Sequence, residues 1–588
     1  MPPLTPLQKR ILLVLSVIVA LTRFLAVARS LNDWDEALFS LGVAEYDVTQ
    51  HWPHPPGYPL FMAAAKAVHL FGVNEFRSLQ VIVLLGACFL FPALFFLARE
   101  IGFDYVTSLC GAALFVFLPN VWVYGGTGFS DIPSTMLGIA ACALLLAGRR
   151  SSRFYLLGAI VLGIAAGMRV PNLLIGAVPA LLATWHRLRA RDFRAVAAAM
   201  VLGGAIAGGS YVGAALASDS VEGYRAAVRA QSQYVRDIDS WHNPKRVPLP
   251  QAAKKFFLWP IDQRQHMSWL CGIAAIGILA ALVRRQWWAL LPLAVFAPFM
   301  ITAWLNLDIE AAGRYAIAYL AVHALLAAYG LRVIGRRAGV QAALAFCIVT
   351  VLIVWVWPGL TLQRTTAAPS AASLTWVRDH LPKNAAVYIQ GAFGPHARYL
   401  LPDHNRAMYE KLDSLSQVTP EVWAVEPDFV EGAPVVFFWP HTNPLWKVIR
   451  RRNFETSVVR LVSVIDFGEG WYATEGTGSE IFRWMGRQAS AALPPIPEGG
   501  RLSMKMYVPI DAIAPPTIEV WVNDALVERF TGSQANIEKS WTIASRKDAP
   551  NVLRIVTSDV AVPAKVGSGN DTRELGLRMD GLSWMPVR

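Results

Sequence analysis

The chain has 588 residues, 55% of them hydrophobic and 16% charged, with a formal net charge of +12 and a mean hydropathy of +0.40. So apolar a composition excludes an ordinary soluble domain and points to a polytopic helical membrane protein with a soluble C-terminal part. The basic balance implies no nucleic-acid partner, because most of it sits in short loops between apolar blocks.

A membrane span needs roughly 20 apolar residues. Eleven stretches qualify as spans: 11–29, 79–98, 106–126, 132–148, 154–168, 171–185, 195–217, 267–283, 286–305, 315–331 and 340–358. The two short ones, 154–168 and 171–185, are expected to meet at a tight turn holding Arg169. A further apolar stretch, 57–72, contains Lys66 and His69 and reads as an interfacial helix. With eleven spans, the arginine-rich loops all fall on one side, including Arg149/Arg150/Arg153 and Arg284/Arg285, which marks it as cytoplasmic. The exported side then receives 30–78, 127–131, 169–170, 218–266, 306–314 and the C-terminal region. The first apolar segment has no small-residue cleavage site after it and reads as a retained anchor. All five cysteines lie inside spans, which leaves no disulfide framework and no cysteine-based metal site.

After the membrane domain, 1–360, comes a small-residue stretch, 361–373, that reads as a linker. Alternating helical and strand patterns predict an exported α/β module over 374–490, with a strand in "APVVFFW" and a short helix in "PLWKVIRRRNF". From 495 to 588, short strands broken by Asn, Asp, Gly and Pro predict a β-sandwich. It loosely resembles galactose-binding-like jelly rolls, which leaves sugar binding and a purely structural role both open.

The chemistry-bearing residues gather on the exported side, at helix ends. They are Asp33, Asp35 and Glu36, then "HWPHPPGYP" (51–59), "GTGFSDIPS" (126–134), Arg169, and "LNLDIEAAGRY" (305–315). Ionisable groups at membrane depth are functional candidates. One carboxylate can take a proton from an acceptor nucleophile, and arginines can hold a leaving phosphate. Plainer readings compete. Asp35 and Glu36 suit the charged start of a helix, and Asp131 before "IPST" suits an N-cap. His51 and His54 are weak metal candidates without a third ligand. The loop 218–266 carries an amphipathic stretch with Tyr224, Tyr234 and Trp241, expected at the membrane interface.

The ordered segments "DWDEALFSLGVAEYD", "HPPGYPLFMAAAKAVHLFG", "SDIPSTMLGIAACALLL", "GMRVPNLLIGAVPALLA" and "EAAGRYAIAYLAVHALLAAYG" resemble the GT-C glycosyltransferase superfamily. More narrowly they resemble bacterial relatives of protein O-mannosyltransferases and lipid A aminoarabinose transferases, over roughly residues 10–360. The resemblance implies catalytic roles for Asp35, Glu36 and Asp131. It also implies substrate contacts at Glu310, Arg314 and Tyr315, with Arg314 at the donor phosphate; His54 in its proline-rich loop and Arg169 between apolar flanks on the exported side are substrate-contact candidates by position. The expected partners are a polyprenyl-phosphate-linked sugar, the bilayer and an exported acceptor (lipid, glycan or protein), at a bacterial inner membrane. Some members use a divalent metal and others do not. The large C-terminal region departs from both named families. A flippase for lipid-linked sugars, or a non-catalytic scaffold of an envelope polysaccharide complex, are the rival readings. Acids clustered at helix ends on one side favour the enzyme over a transporter.

Overall fold

The computed structural model describes residues 3–586, except 261–267, 405, 410–417, 419–420, 450–453, 463–464, 477–480, 497–498, 547–548 and 568. The end of the expected loop 218–266, the first residue of the span 267–283 and most of "IRRRN" therefore lie outside the described residues. The chain divides into two compact units: 1–368 together with 439–454, and 369–438 together with 455–588.

The first unit is helical. In chain order its main helices are α1 (Pro6–Arg23), α2 (Trp34–Ala44), α3 (Pro59–His69), α4 (Glu75–Ile101), α5 (Tyr105–Val116), α6 (Pro119–Tyr124), α7 (Asp131–Gly148), α8 (Ser152–Met168), α9 (Leu173–Arg189) and α10 (Phe193–Ala217). There follow α11 (Val221–Tyr234), α12 (Leu249–Ala253), α13 (Ser268–Val283), α14 (Leu291–Asn306), α15 (Ala312–Tyr315), α16 (Leu320–Gly335) and α17 (Ala338–Thr365). Local sequence explains the starts. Thr5 and Gln8 form a capping box with Pro6 in the first turn of α1, and Asn74 caps α4 through Arg77 N.

The eleven expected spans and the helices that qualify by length and composition differ in number. Among the described residues five helices are long and apolar enough to cross a membrane: α4, α7, α10, the stretch Trp287–Asn306 and the helix beginning at Ala338. A sixth results if the pair Ile309–Ala318 and Leu320–Gly335, bent by 63°, counts as one span. Prolines and charges account for the difference. Pro119 starts a new helix and divides the expected span 106–126. α8 stops at Met168, and Arg169 adopts an extended conformation before a short 3-10 turn at Val170–Asn172. The stretch 361–373 also differs from the expected linker. Residues 361–365 complete α17, and a new helix, α18 (Pro369–His380), begins with Pro in its first turn.

The core of this unit is aromatic and aliphatic, with Phe91, Phe95, Phe115, Trp122, Phe296 and Tyr319 all buried. Two glycines bring the site loops together. A Cβ on Gly126 would stand 1.9 Å from the Ala26 carbonyl oxygen, and one on Gly42 would meet Pro53 at 2.8 Å. The loop after α1 is tied from three directions. Arg77 donates to the carbonyls of Ala28 and Arg29. Gln80 donates to Ala28 and Gly126, and Gln363 of α17 to Ala26 and Val123.

Among the described residues the second unit holds α18, α19 (Gly394–Leu400) and fifteen strands. β1 (Val387–Gln390), β2 (Arg406–Tyr409), β3 (Glu421–Glu426), β4 (Val435–Phe438) and β5 (Glu455–Val462) form a mixed sheet in the order β2-β1-β3-β5-β4. Leu374, Val377 and Ala397 of the two helices pack on Val387, Ile389 and Val458 of this sheet. The other ten strands are β6 (Asp466–Phe467), β7 (Trp471–Glu475), β8 (Phe482–Met485), β9 (Gln488–Leu493), β10 (Gly500–Tyr507), β11 (Thr517–Val522), β12 (Ala525–Thr531), β13 (Asn536–Ile543), β14 (Asn551–Thr557) and β15 (Arg578–Pro586). They form two five-stranded antiparallel sheets, β13-β10-β15-β8-β7 and β12-β11-β14-β9-β6, around one core of Leu502, Met504, Ile555, Val520 and Trp584. The sandwich therefore begins near residue 466, not 495. β9 reads as a strand pattern of small residues, "QASAAL", and only its pairing with β14 assigns it to this domain.

Candidate active site

Asp33 is the N-cap of α2, and its side chain accepts from Asp35 N. Glu36 completes the capping box from inside the helix. Its Oε2 accepts from Asn32 N at 2.7 Å and Asp33 N at 3.0 Å, and its Oε1 accepts from Gly128 N at 2.7 Å. Glu36 is 1% exposed. Burial pushes its carboxyl up to about 7, against the three amides that favour the charged form. Both oxygens are thus committed to holding α2 and the 126–131 loop in register.

Asp35 points elsewhere. Its Oδ2 accepts from Arg314 Nη1 at 2.7 Å, and the carboxylate is one-fifth exposed. Arg314 also stands 4.0 Å from Asp131 Oδ2 through Nε, and its Nη2 donates to the Tyr315 hydroxyl at 3.2 Å. Its guanidinium lies over the rings of Phe129 and Tyr315, at 4.6 and 5.0 Å. Asp131 is the first residue of α7, and Ser130, the N-cap, makes no side-chain cap bond. The Asp131 carboxylate is therefore not spent on capping; it pairs with Arg169. Arg169 in turn lies over Tyr315 at 5.6 Å. Residues scattered over some 280 positions of sequence thus form one alternating string, Asp35–Arg314–Asp131–Arg169, with Tyr315 beneath both arginines.

His54 arrives from the proline-rich loop. Its Nδ1 is 4.0 Å from Asp35 Oδ1, and its Nε2 is 2.8 Å from the Tyr58 hydroxyl. Burial lowers the His54 imidazole from its ordinary range, opposed by the Asp35 charge. Phe39 of α2 packs against both His54 and Tyr58. The loop is braced from behind. Tyr46 donates to Gly57 O, and Tyr224 of α11 donates to Pro56 O. Sequence reading passed over Tyr58, Phe129 and these braces. Tyr58 occupies left-handed backbone space at φ +48°, a signal of function for a non-glycine residue that no composition reveals.

Glu310 does not join the string. It is 73% exposed and pairs with Lys255 at 2.7 Å. His51 lies on the exposed side of its loop. Among the described residues no group of three or more His, Cys, Asp or Glu side chains can hold a metal ion. The two site carboxylates face guanidiniums, so the donors present do not fit a divalent cation.

No protein-family model matches the chain, and no curated protein sequence matches it. Solved structures similar to it include three at low identity. The Archaeoglobus fulgidus oligosaccharyltransferase, in complex with Zn and sulfate, is 14% identical at TM-score 0.42, over 67% of this chain and 62% of that one. ArnT from Cupriavidus metallidurans bound to undecaprenyl phosphate is 14% identical at TM-score 0.40, over 76% of this chain and 97% of that one. Arabinosyltransferase EmbB from Mycobacterium smegmatis is 10% identical at TM-score 0.38, over 99% and 65%. The chain thus spans less than two thirds of the length of the archaeal enzyme. At such identities and scores, no activity passes from them to this chain.

Proposed function

We propose that this protein is an integral-membrane glycosyltransferase of the GT-C type. It moves a sugar from a polyprenyl-phosphate donor to an exported acceptor (a lipid, glycan or protein) at a bacterial inner membrane, with the C-terminal unit exported. The observation that carries this reading is the string Asp35–Arg314–Asp131–Arg169 at the ends of membrane-domain helices.

Two guanidiniums and a phenol, from Arg314, Arg169 and Tyr315, offer a donor set for a phosphate. A donor phosphate at Arg314 competes with Asp35 for the guanidinium. Substrate binding itself then releases the base. Asp35 takes the proton of the acceptor hydroxyl as that oxygen attacks the anomeric carbon, and the polyprenyl phosphate leaves with the bonding electrons, inverting the centre. Asp131 holds both arginines apart at fixed spacing. Glu36, whose oxygens are filled by backbone amides, serves as a positioning residue. The polyprenyl tail would lie among apolar helices, as the composition of this unit suits.

Glycan binding by the β-sandwich is part of the same reading. One row across β8, β15 and β10 aligns Trp484, Arg578 and Tyr507, with Phe482 beside Arg578.

Purified protein in detergent, incubated with a panel of undecaprenyl-phosphate hexoses and pentoses, tests the proposal. One donor is expected to be consumed, with EDTA without effect, and the Asp35→Asn variant is expected to lose turnover while folding normally. Donor binding without turnover in wild type would favour the flippase or scaffold.

A further inference from the structure

Asp35 is a hindered base. Its carboxylate is 2.7 Å from the Arg314 guanidinium, and a base that takes a proton on every turnover needs somewhere to pass it. The imidazole of His54 stands beside Asp35. Its Nδ1 is buried and has no hydrogen-bond partner among the described residues, although it stands 4.0 Å from Asp35 Oδ1. An orphaned buried nitrogen of that kind costs free energy and calls for an explanation.

The other ring nitrogen, Nε2, meets the Tyr58 hydroxyl at 2.8 Å. When Nε2–H donates to the Tyr58 oxygen, the lone pair of Nδ1 is left facing Asp35. Tyr58 is held for this contact in left-handed backbone space, between the Tyr46 brace on Gly57 and the ring of Phe39.

We propose that His54 is the terminal proton acceptor of the transfer and that Tyr58 is the positioning residue that selects its tautomer; this rests on the glycosyltransferase reading above. The proton leaves the acceptor hydroxyl for Asp35 and passes to Nδ1 of His54. The new bond joins the acceptor oxygen to the anomeric carbon, and the bond from that carbon to the phosphate oxygen breaks. The leaving polyprenyl phosphate gains one negative charge as His54 gains one positive charge, so the site stays balanced until both products leave and the proton returns to water.

The imidazole is faced by Asp35 from α2, Arg314 from α15, Arg169 from the end of α8, Tyr58 from the start of α3, and His51 from its own loop. Activity needs the neutral ring. Because burial lowers the affinity of His54 for protons, the rate is expected to fall only as pH drops below the ordinary histidine range.

The test uses full-length protein in detergent with the undecaprenyl-phosphate sugar panel. It measures kcat and KM across pH for wild type, Asp35→Asn, His54→Gln and Tyr58→Phe, with thermal midpoints as a folding control. His54→Gln is expected to lose about 10²-fold in kcat with little change in KM, to lose the acidic limb, and to be rescued by added imidazole. Tyr58→Phe is expected to lose about 10-fold and to move the acidic limb. An active wild type and a dead Asp35→Asn, with His54→Gln changed only in KM and not rescued, would overturn the relay and leave the transferase standing. A folded wild type that consumes no donor would overturn both.

Discussion

The first unit buries Arg23 and Arg314 in opposite ways. Arg23, at the end of α1, is 1% exposed. It donates to the carbonyls of Val116 and Val19 and to the Thr22 hydroxyl, and it lies between the rings of Phe117 and Trp122. The acceptors it donates to are neutral, two backbone carbonyls and a hydroxyl. Arg314 has the same kind of aromatic bed, but its partners are carboxylates on two other helices. Backbone partners make a clamp. Carboxylate partners make a site, because an arriving anion can replace them.

Four substitutions sharpen that contrast. Arg314→Ala is expected to lower kcat/KM by about 10³-fold with a smaller change in thermal midpoint; near-normal turnover would remove Arg314 from the phosphate site. Arg23→Ala should do the reverse. It leaves a void and takes a donor from the Val116 carbonyl, and is expected to cost about 3 kcal/mol of stability, while the protein that remains folded turns over at a normal rate. Denaturation curves beside specific activity separate the two.

Glu36→Gln tests the fastener. The folded protein binds this proton more tightly than the unfolded chain, with a value of about 7 against an ordinary 4.5. Its stabilising contribution is therefore full below pH 4.5 and is lost as pH rises to 7, with a slope of up to ~1.4 kcal/mol per pH unit. The variant is expected to lack that slope when thermal midpoints are followed from pH 4.5 to 7.5. The smallest effect belongs to Glu310→Ala. An exposed ion pair contributes little, so activity is expected to stay within about twofold of wild type. A large loss would bring Glu310 into the site after all.

Much of the candidate site was legible in sequence because charge at the end of an apolar run is conspicuous. Asp35, Asp131, Arg169 and Arg314 stand out that way. Their neighbours do not. Phe129 and Tyr58 look like ordinary aromatic residues until they are seen beside Arg314 and His54. Gln80 and Gln363 sit within apolar helices, and nothing in their own segments reveals that they tie down the loop after α1. The break inside 106–126 escaped for a related reason: hydropathy sums over a window, whereas the helix boundary falls at one residue, Pro119.

Sequence by itself determined the membrane class, the helical first unit, the strand-rich C-terminal region and which ionisable residues to suspect. These depend on composition and on short-range periodicity, which each segment carries alone. Tertiary structure alone decided that Glu36 fastens while its neighbour Asp35 faces Arg314. It decided that Asp131 forgoes capping, that Glu310 turns to Lys255, and that β9 belongs to the sandwich. Each of these depends on which distant group fills a side chain's hydrogen bonds, and only the packed chain supplies that partner.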